Sequence, residues 1–223
     1  MPPAPDTSDQ PIRHEERPVD EIANLITHGL GFMLSIPASI ALMSLAFQDD
    51  RQYLQVACVV YCISLMALYA ASTLSHIFYD LAWRRFFRTL DQACIFLLIA
   101  GSFTPVAVVY FREGWMSYIS IAMWVLAILG VILVFVIGNM TSLLKLTYLA
   151  LGWLPIICLK ELFQSMPFAI FVWMIAGGIF YSVGTLFLKF DTKVKYFHAL
   201  WHTFVIAGSS CHYIAILLLI VMN

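Results

Sequence analysis

Two histidines of the sequence, His198 and His202, are four residues apart in an apolar stretch near the C-terminus. Side chains at positions i and i+4 of a helix lie on one face, so both imidazoles could reach the same ion. A third histidine, His76, lies near the end of another apolar stretch. Three neutral imidazole nitrogens with a fourth position left to water are the ligand set of catalytic zinc. The pattern therefore predicts a Zn²⁺ site made of these three histidines.

Two further polar side chains could take part in chemistry at such a site. Ser72 lies one turn before His76 on the same helix face and could hold a water molecule or a substrate oxygen. Asp91 could act as the general base that takes a proton from water. Each also has a simpler explanation, because a membrane serine often bonds its own backbone and an aspartate is favourable near a helix N-terminus. Their combination with three histidines favours the catalytic interpretation.

A polar helix face begins the first apolar stretch, where Glu21, Asn24 and His28 occupy positions i, i+3 and i+7. These side chains could orient a metal ligand or close the mouth of the site. They could equally form the polar start of a helix in the membrane interface, and the residues alone leave both interpretations open. His212 follows His202 by ten residues, about 15 Å along a helix, and is expected to be hydrogen-bonded inside the bundle.

Long apolar runs are the elements that must position these side chains. The chain is 62% hydrophobic and 11% charged, whereas soluble domains carry about 25% charged residues. A run of about 20 apolar residues spans the hydrocarbon core of a bilayer, and in lipid such a run must be helical. We therefore predict an all-α, seven-transmembrane helix bundle with short connections. The predicted spans are Ala23–Phe47, Tyr53–Phe78, Thr89–Phe111, Trp115–Ile137, Leu146–Leu159, Pro167–Leu188 and Tyr196–Met222.

The distribution of lysine and arginine predicts the orientation of the bundle, because these residues are enriched in cytoplasmic loops. One side of the predicted topology carries nine of them and the other side carries three. The first set is Arg13, Arg17, Arg84, Arg85, Arg88, Lys145, Lys189, Lys193 and Lys195; the second is Arg51, Arg112 and Lys160. The N-terminus is therefore predicted to be cytoplasmic and the C-terminus extracytoplasmic. This topology also places nearly all the unusual polar residues at the cytoplasmic face.

Composition predicts the remaining organisation. Residues 1–20 are rich in proline and charged residues and are predicted to be a disordered cytoplasmic tail, followed by one membrane domain over residues 21–223. The net charge of −1 and the lack of a basic stretch argue against nucleic-acid binding. The five cysteines lie in apolar runs without metal-binding spacing and are interpreted as packing residues. The oligomeric state cannot be predicted from these features.

Several short motifs, in order along nearly the whole chain from Glu21, resemble the hemolysin III branch of the progestin and adipoQ receptor family, which includes the adiponectin receptors. The motifs are Glu21-Ile-Ala-Asn24-Leu-Ile-Thr-His28-Gly29, Ala71-Ser72-Thr-Leu-Ser-His76, Leu90-Asp91, Ile99-Ala-Gly-Ser-Phe-Thr-Pro105, Gly152-Trp153 and Tyr196-Phe-His198-Ala-Leu-Trp-His202. The sequence departs from the pattern in two motifs. Gln92 stands where a histidine usually follows the aspartate, and Ser102-Phe-Thr-Pro105 stands where Thr-Tyr-Thr-Pro is usual.

The resemblance implies seven helices, an inside N-terminus, and zinc held by His76, His198 and His202, with Ser72 and Asp91 completing the site. It also implies a zinc-dependent hydrolase of a lipid amide or ester, acting in membrane lipid homeostasis of a bacterial plasma membrane. A non-enzymatic sensor or receptor with structural zinc is the main alternative. A pore-forming hemolysin fits less well, since a secreted toxin must stay soluble before insertion. A bis-histidine haem protein is a further alternative. It also fits less well, because haem usually takes its axial ligands from opposing helices.

Overall fold

The computed structural model describes residues 18–137 and 142–222, and these form helices joined by short connections. Seven helical segments are long and apolar enough to cross a membrane, so the all-α, seven-span prediction is confirmed for the described residues. The elements are α1 (Pro18–Ala46), α2 (Gln52–Ile77), α3 (Leu81–Tyr110), α4 (Ser117–Ile137), α5 (Ser142–Gly152), a 3₁₀ segment (Leu154–Cys158), α6 (Leu159–Ser165), α7 (Phe168–Phe190) and α8 (Phe197–Met222).

The fifth span is interrupted. It consists of α5, the 3₁₀ segment and α6, which together cover Leu143–Ser165 as one membrane-crossing unit. Pro155 lies in the first positions of the 3₁₀ segment. Proline is tolerated there because the N–H groups of a first helical turn have no partner within the helix. The predicted end of this span at Leu159 was therefore too early, because the helix resumes after the proline.

The start of α3 is the largest correction to the predicted spans. The sequence placed the beginning of the third span at Thr89, but α3 begins eight residues earlier, at Leu81. Asp80 caps this helix by accepting hydrogen bonds from the backbone N–H groups of Ala82 and Trp83 at 3.0 and 3.1 Å. Asp91 therefore lies about three turns inside α3. Its explanation as a charge at a helix N-terminus is wrong.

Helix packing brings one end of several spans together. The described helices make their most extensive contacts in the pairs α2–α3, α7–α8, α1–α2 and α3–α4, and α8 also contacts α1 and α3. Because α1, α3 and α8 begin at the same end of the bundle where α2 and α7 finish, their polar termini meet there. We call this the site end. Residues 1–17 of the predicted tail lie outside the described residues, while Pro18–Asp20 already belong to α1.

Candidate metal centre

Three histidines from two helices meet at the site end. His76 is contributed by the last turn of α2, and His198 and His202 by the first two turns of α8. One nitrogen of each ring lies within 4.8 Å of one nitrogen of each of the others, so the three could hold a metal ion. The ring centroids of His198 and His202 are 4.5 Å apart, and that of His76 is 5.4 and 5.3 Å from theirs. His202 is 1% exposed.

Two carboxylates hold the outer nitrogens of His76 and His198. Nδ1 of His76 lies 2.6 Å from Oε2 of Glu21, and Nδ1 of His198 lies 2.9 Å from Oδ2 of Asp191. An ionised carboxylate only accepts hydrogen bonds, so each Nδ1 must carry a proton. In the neutral rings the lone pair is then on Nε2, the nitrogen that could ligate a metal. Such carboxylate–histidine pairs orient metal ligands and raise their basicity.

The first helix provides the corresponding acceptors for His202. Its Nδ1 lies 3.0 Å from the Thr27 hydroxyl oxygen and 3.3 Å from the carbonyl oxygen of Asn24. Because the Thr27 hydroxyl can donate to the carbonyls of Ala23 and Asn24, both at 2.9 Å, its oxygen is available to accept from the imidazole. The same tautomer is therefore fixed in all three rings.

The inner nitrogen of His76 has the character expected of a metal ligand. Among the described residues, His76 Nε2 is fully buried and has no hydrogen-bond partner in the protein. A buried polar atom without a partner costs about 1–3 kcal/mol. Coordination of a cation by the three Nε2 atoms would remove this cost, so the donor set fits a metal ion.

Glu21 links His76 to two basic side chains of α3. One of its carboxylate oxygens forms an ion pair with Arg84 and lies 3.6 Å from an Arg88 nitrogen, while the other accepts from His76. Arg84 is 8% exposed, so its charge needs this buried partner. The N-terminus of α1 is thereby tied to α2 and α3 through a single carboxylate.

A second set of polar contacts extends from the histidines to Asp91. The ring of His28 stacks on that of His202 with centroids 3.5 Å apart and an interplanar angle of 17°. Nδ1 of His28 lies 2.5 Å from the hydroxyl oxygen of Ser72, which is fully buried. The Ser72 hydroxyl also lies near the Asp91 carboxyl group. Asp91 itself is outside the group of mutually close ligand atoms.

A polar cavity of about 300 Å³, which we call the histidine cavity, is lined by His28, His76 and His198. His76, His198, Asp91, Glu21 and Asp191 all contribute to its wall. A second, largely apolar cavity of about 140 Å³ lies among α3, α5, α7 and α8. The two cavities share the lining residues Leu68, Ile95, Trp201 and Val205, so they adjoin.

The structure distinguishes among the residues of the predicted polar face of α1. Glu21 and His28 use their side chains as described above, whereas Asn24 contacts His202 through its backbone carbonyl, and its side-chain oxygen is buried without a partner. His212 lies away from the centre, and its Nε2 is 3.2 Å from the carbonyl oxygen of Met174. This agrees with the expected hydrogen bond inside the bundle.

Sequence reasoning missed three residues of the site: Thr27, Arg84 and Asp191. Thr27 follows Glu21 by six residues, a spacing that lies off the predicted i, i+3, i+7 face, so its role was not identified. Asp191 ends α7 seven residues before His198, where it resembled an ordinary loop charge. Arg84 lies in the part of α3 that was predicted to be a loop.

Replacing Thr27 with valine is expected to weaken metal binding about tenfold, because loss of an outer hydrogen bond to a ligating histidine typically costs 10–100-fold and the Asn24 carbonyl remains as a second acceptor. Competition with a metal chelator measures the effect. Thr203→Val is the matched control, since Thr203 is exposed beside His202 and bonds its own helix at Ala199. Equal affinities of the two variants would contradict the role of Thr27.

Comparison with known proteins gives consistent matches over most of the chain. The family described as "Haemolysin-III related" matches residues 17–213. "Hemolysin-3" of Bacillus cereus is 39% identical over 201 residues, covering 89% of this chain and 90% of the relative. "Hemolysin-3 homolog" of Bacillus subtilis (strain 168) is 35% identical, covering 89% and 93%. Human "Monocyte to macrophage differentiation factor" is 26% identical, covering 92% and 86%.

Proposed function

The chain belongs to the haemolysin-III related family, and we propose that it is a zinc-dependent hydrolase of membrane lipids. One observation carries the proposal. Three imidazoles have their Nδ1 atoms held by Glu21, Asp191 and the Thr27–Asn24 pair, and one nitrogen of each ring lies within 4.8 Å of the others, beside a cavity that Asp91 lines. A three-histidine set with room for another ligand is typical of catalytic rather than structural zinc.

His76, His198 and His202 are the residues that would hold the ion. Imidazole ligands suit zinc among the divalent metals, although affinity alone does not select it. When bound, zinc would polarise a carbonyl group and lower the pKa of water to about 7. The protein residues around the ion then have separate tasks, which follow from their contacts.

Asp91 would accept the proton of the attacking water molecule and later return it to the leaving group, as a general base and then a general acid. Ser72 would help to place the carboxyl group, because its hydroxyl lies near Asp91 and forms a hydrogen bond with His28. His28 would keep the ring of His202 in position through its stacking contact. Asp91 is therefore the residue that transfers the proton. Ser72 positions the carboxyl group of Asp91, and His28 positions the ring of His202.

The adjoining apolar cavity supports a lipid as the substrate. A lipid amide or ester has a polar scissile group beside a hydrocarbon chain, and the polar and apolar cavities provide these two environments side by side. Entry from the membrane would also exclude bulk water from the reaction. We therefore propose hydrolysis of a lipid amide or ester, and a role in membrane lipid homeostasis.

We further propose that the site end faces the cytoplasm of a bacterial inner membrane, because most lysines and arginines lie there. A reporter fused after Asn223 should then behave as extracytoplasmic, and one fused after Arg85 as cytoplasmic. Both reporters on the same side, or the reverse pattern, would contradict this orientation.

The proposed reaction is tested with purified protein reconstituted in liposomes that contain a series of lipid amides and esters. Released fatty acid is measured for zinc-loaded and metal-stripped protein. Zinc-dependent release supports the hydrolase. If no lipid is hydrolysed while zinc remains bound, the receptor or sensor with structural zinc takes its place.

A further inference from the structure

Three basic side chains line the histidine cavity together with the metal-binding residues. Arg85 and Arg88 come from the first turns of α3, and Lys145 from the first turn of α5. Arg85 is exposed, and Arg88 and Lys145 are partly buried. A cavity proposed to hold a lipid group therefore has cations from two helices in its wall.

The surrounding surface has the composition of a membrane interface. α3 has 30 residues, about 45 Å at 1.5 Å per residue, so it is longer than a hydrocarbon core of about 30 Å. Its first turns expose Trp83 and Phe86, with 54% and 49% of their surface accessible. Aromatic side chains of this kind are enriched at the depth of lipid headgroups. Arg85 lies between these two aromatic residues in sequence and therefore at the same depth.

Three acidic side chains, Glu21, Asp91 and Asp191, line the same cavity, and two of them hold histidines. Glu21 bonds His76 and forms ion pairs with Arg84 and Arg88, and Asp191 accepts from His198. Lys145 donates a hydrogen bond at 2.9 Å to the carbonyl oxygen of Leu188 and also interacts electrostatically with Asp191. Of the lysines and arginines in the described residues, most lie at this end: Arg84, Arg85, Arg88, Lys145, Lys189, Lys193 and Lys195. At this end of the described bundle the seven basic side chains outnumber the five acidic ones, which are Asp20, Glu21, Asp80, Asp91 and Asp191.

We propose that the lipid taken by the histidine cavity is an anionic phospholipid, whose phosphate is bound by Arg85, Arg88 and Lys145. The guanidinium groups match phosphate oxygens in a forked geometry, and lysine binds phosphate as a point charge. The phosphate lies at the rim, the acyl group reaches inward past the histidines, and its chain continues into the apolar cavity. This inference rests on the proposed function, because it assumes that the cavity holds a lipid.

Lipid retention tests the phosphate site without requiring turnover. Purified protein is incubated with vesicles of equal parts phosphatidylglycerol and phosphatidylcholine, re-extracted, and its bound lipid is measured by mass spectrometry. Wild type should retain phosphatidylglycerol preferentially. Arg85→Gln/Arg88→Gln should reduce that preference about 30-fold, as expected for the loss of two cations near a charged lipid surface. Arg85→Gln alone should also reduce it, and this variant leaves the Arg88–Glu21 contact in place.

Lys193→Gln/Lys195→Gln is the matched control, because it removes the same charge from the same end of the bundle outside the cavity wall. The control should keep the preference of the wild type. Equal losses in the two double variants would overturn the proposal, since general surface charge would then explain the binding. Displacement of the lipid by millimolar inorganic phosphate would also overturn it, in favour of a soluble anion.

The same preparations separate this inference from the proposed function. If the arginine variants lose the preference while wild type and Asp91→Asn release no fatty acid from any lipid, the phosphate site stands and the hydrolase fails. If fatty acid is released at equal rates from both phospholipids and the arginine variants behave as the lysine control does, the hydrolase stands and the phosphate site fails.

Discussion

Purified wild-type protein is expected to carry about one zinc ion per chain, and His202→Ala to lose most of it, because a catalytic zinc site depends on each of its three protein ligands. His202 is 1% exposed and lies within reach of both other histidines, so its removal leaves two of the three ligands. His76→Ala should have a similar effect, since His76 Nε2 is buried without a protein partner. Metal analysis of the purified variants gives the stoichiometry.

His212→Ala is the matched control for these variants. It removes a buried histidine from the same helix, ten residues beyond His202, where Nε2 bonds the Met174 carbonyl and does not belong to the cluster. This variant should keep its zinc even if it unfolds more easily. Equal zinc content in wild type and in a triple variant of His76, His198 and His202 to alanine would exclude the metal centre.

Asp91→Asn is expected to keep zinc and lower lipid turnover by roughly 100-fold or more, the usual contribution of a positioned general base. The substitution removes a proton acceptor and changes the shape of the side chain very little. The three histidines are untouched, and Asp91 is outside their cluster, so metal content should stay at the wild-type level. Zinc content and released fatty acid are measured in the same liposome preparation.

Asp80→Asn provides the control on the same helix. Asp80 caps α3, and asparagine is an equally good N-cap, so this variant should keep both metal and turnover. Asp80→Asn and Asp91→Asn make the same chemical change, the first at the cap of α3 and the second in the wall of the cavity. Unchanged turnover in Asp91→Asn with bound zinc would refute the role of Asp91 as the base. Loss of zinc in Asp91→Asn would instead indicate that the carboxyl group supports the metal.

The fold was predictable because lipid imposes strong constraints on the chain. Backbone groups in a bilayer must be paired within a helix, so apolar runs of sufficient length identify the spans. The i, i+4 spacing of His198 and His202 placed them on one face of α8 without knowledge of the tertiary structure. The start of α3 was missed because Arg84, Arg85 and Arg88 resemble a cytoplasmic loop, although they extend the helix into the membrane interface.

The contacts around the three histidines could not be derived from the sequence. Asp191 and Glu21 reach their histidines from the ends of other helices, and only the packing of α1, α2, α7 and α8 sets those distances. The backbone carbonyl of Asn24 has no sequence signal at all. The histidine cavity and the apolar cavity adjoin because of helix packing, and no single motif predicts this arrangement.

The most direct measurement is fatty-acid release by wild-type protein in liposomes before zinc removal, after it, and after zinc is restored. We expect release to stop when the metal is stripped and to return to its initial rate with about one equivalent of zinc per chain. Retention of the full rate by metal-free protein would contradict a zinc-dependent hydrolase. So would zinc-loaded, folded protein that releases no fatty acid from any lipid amide or ester.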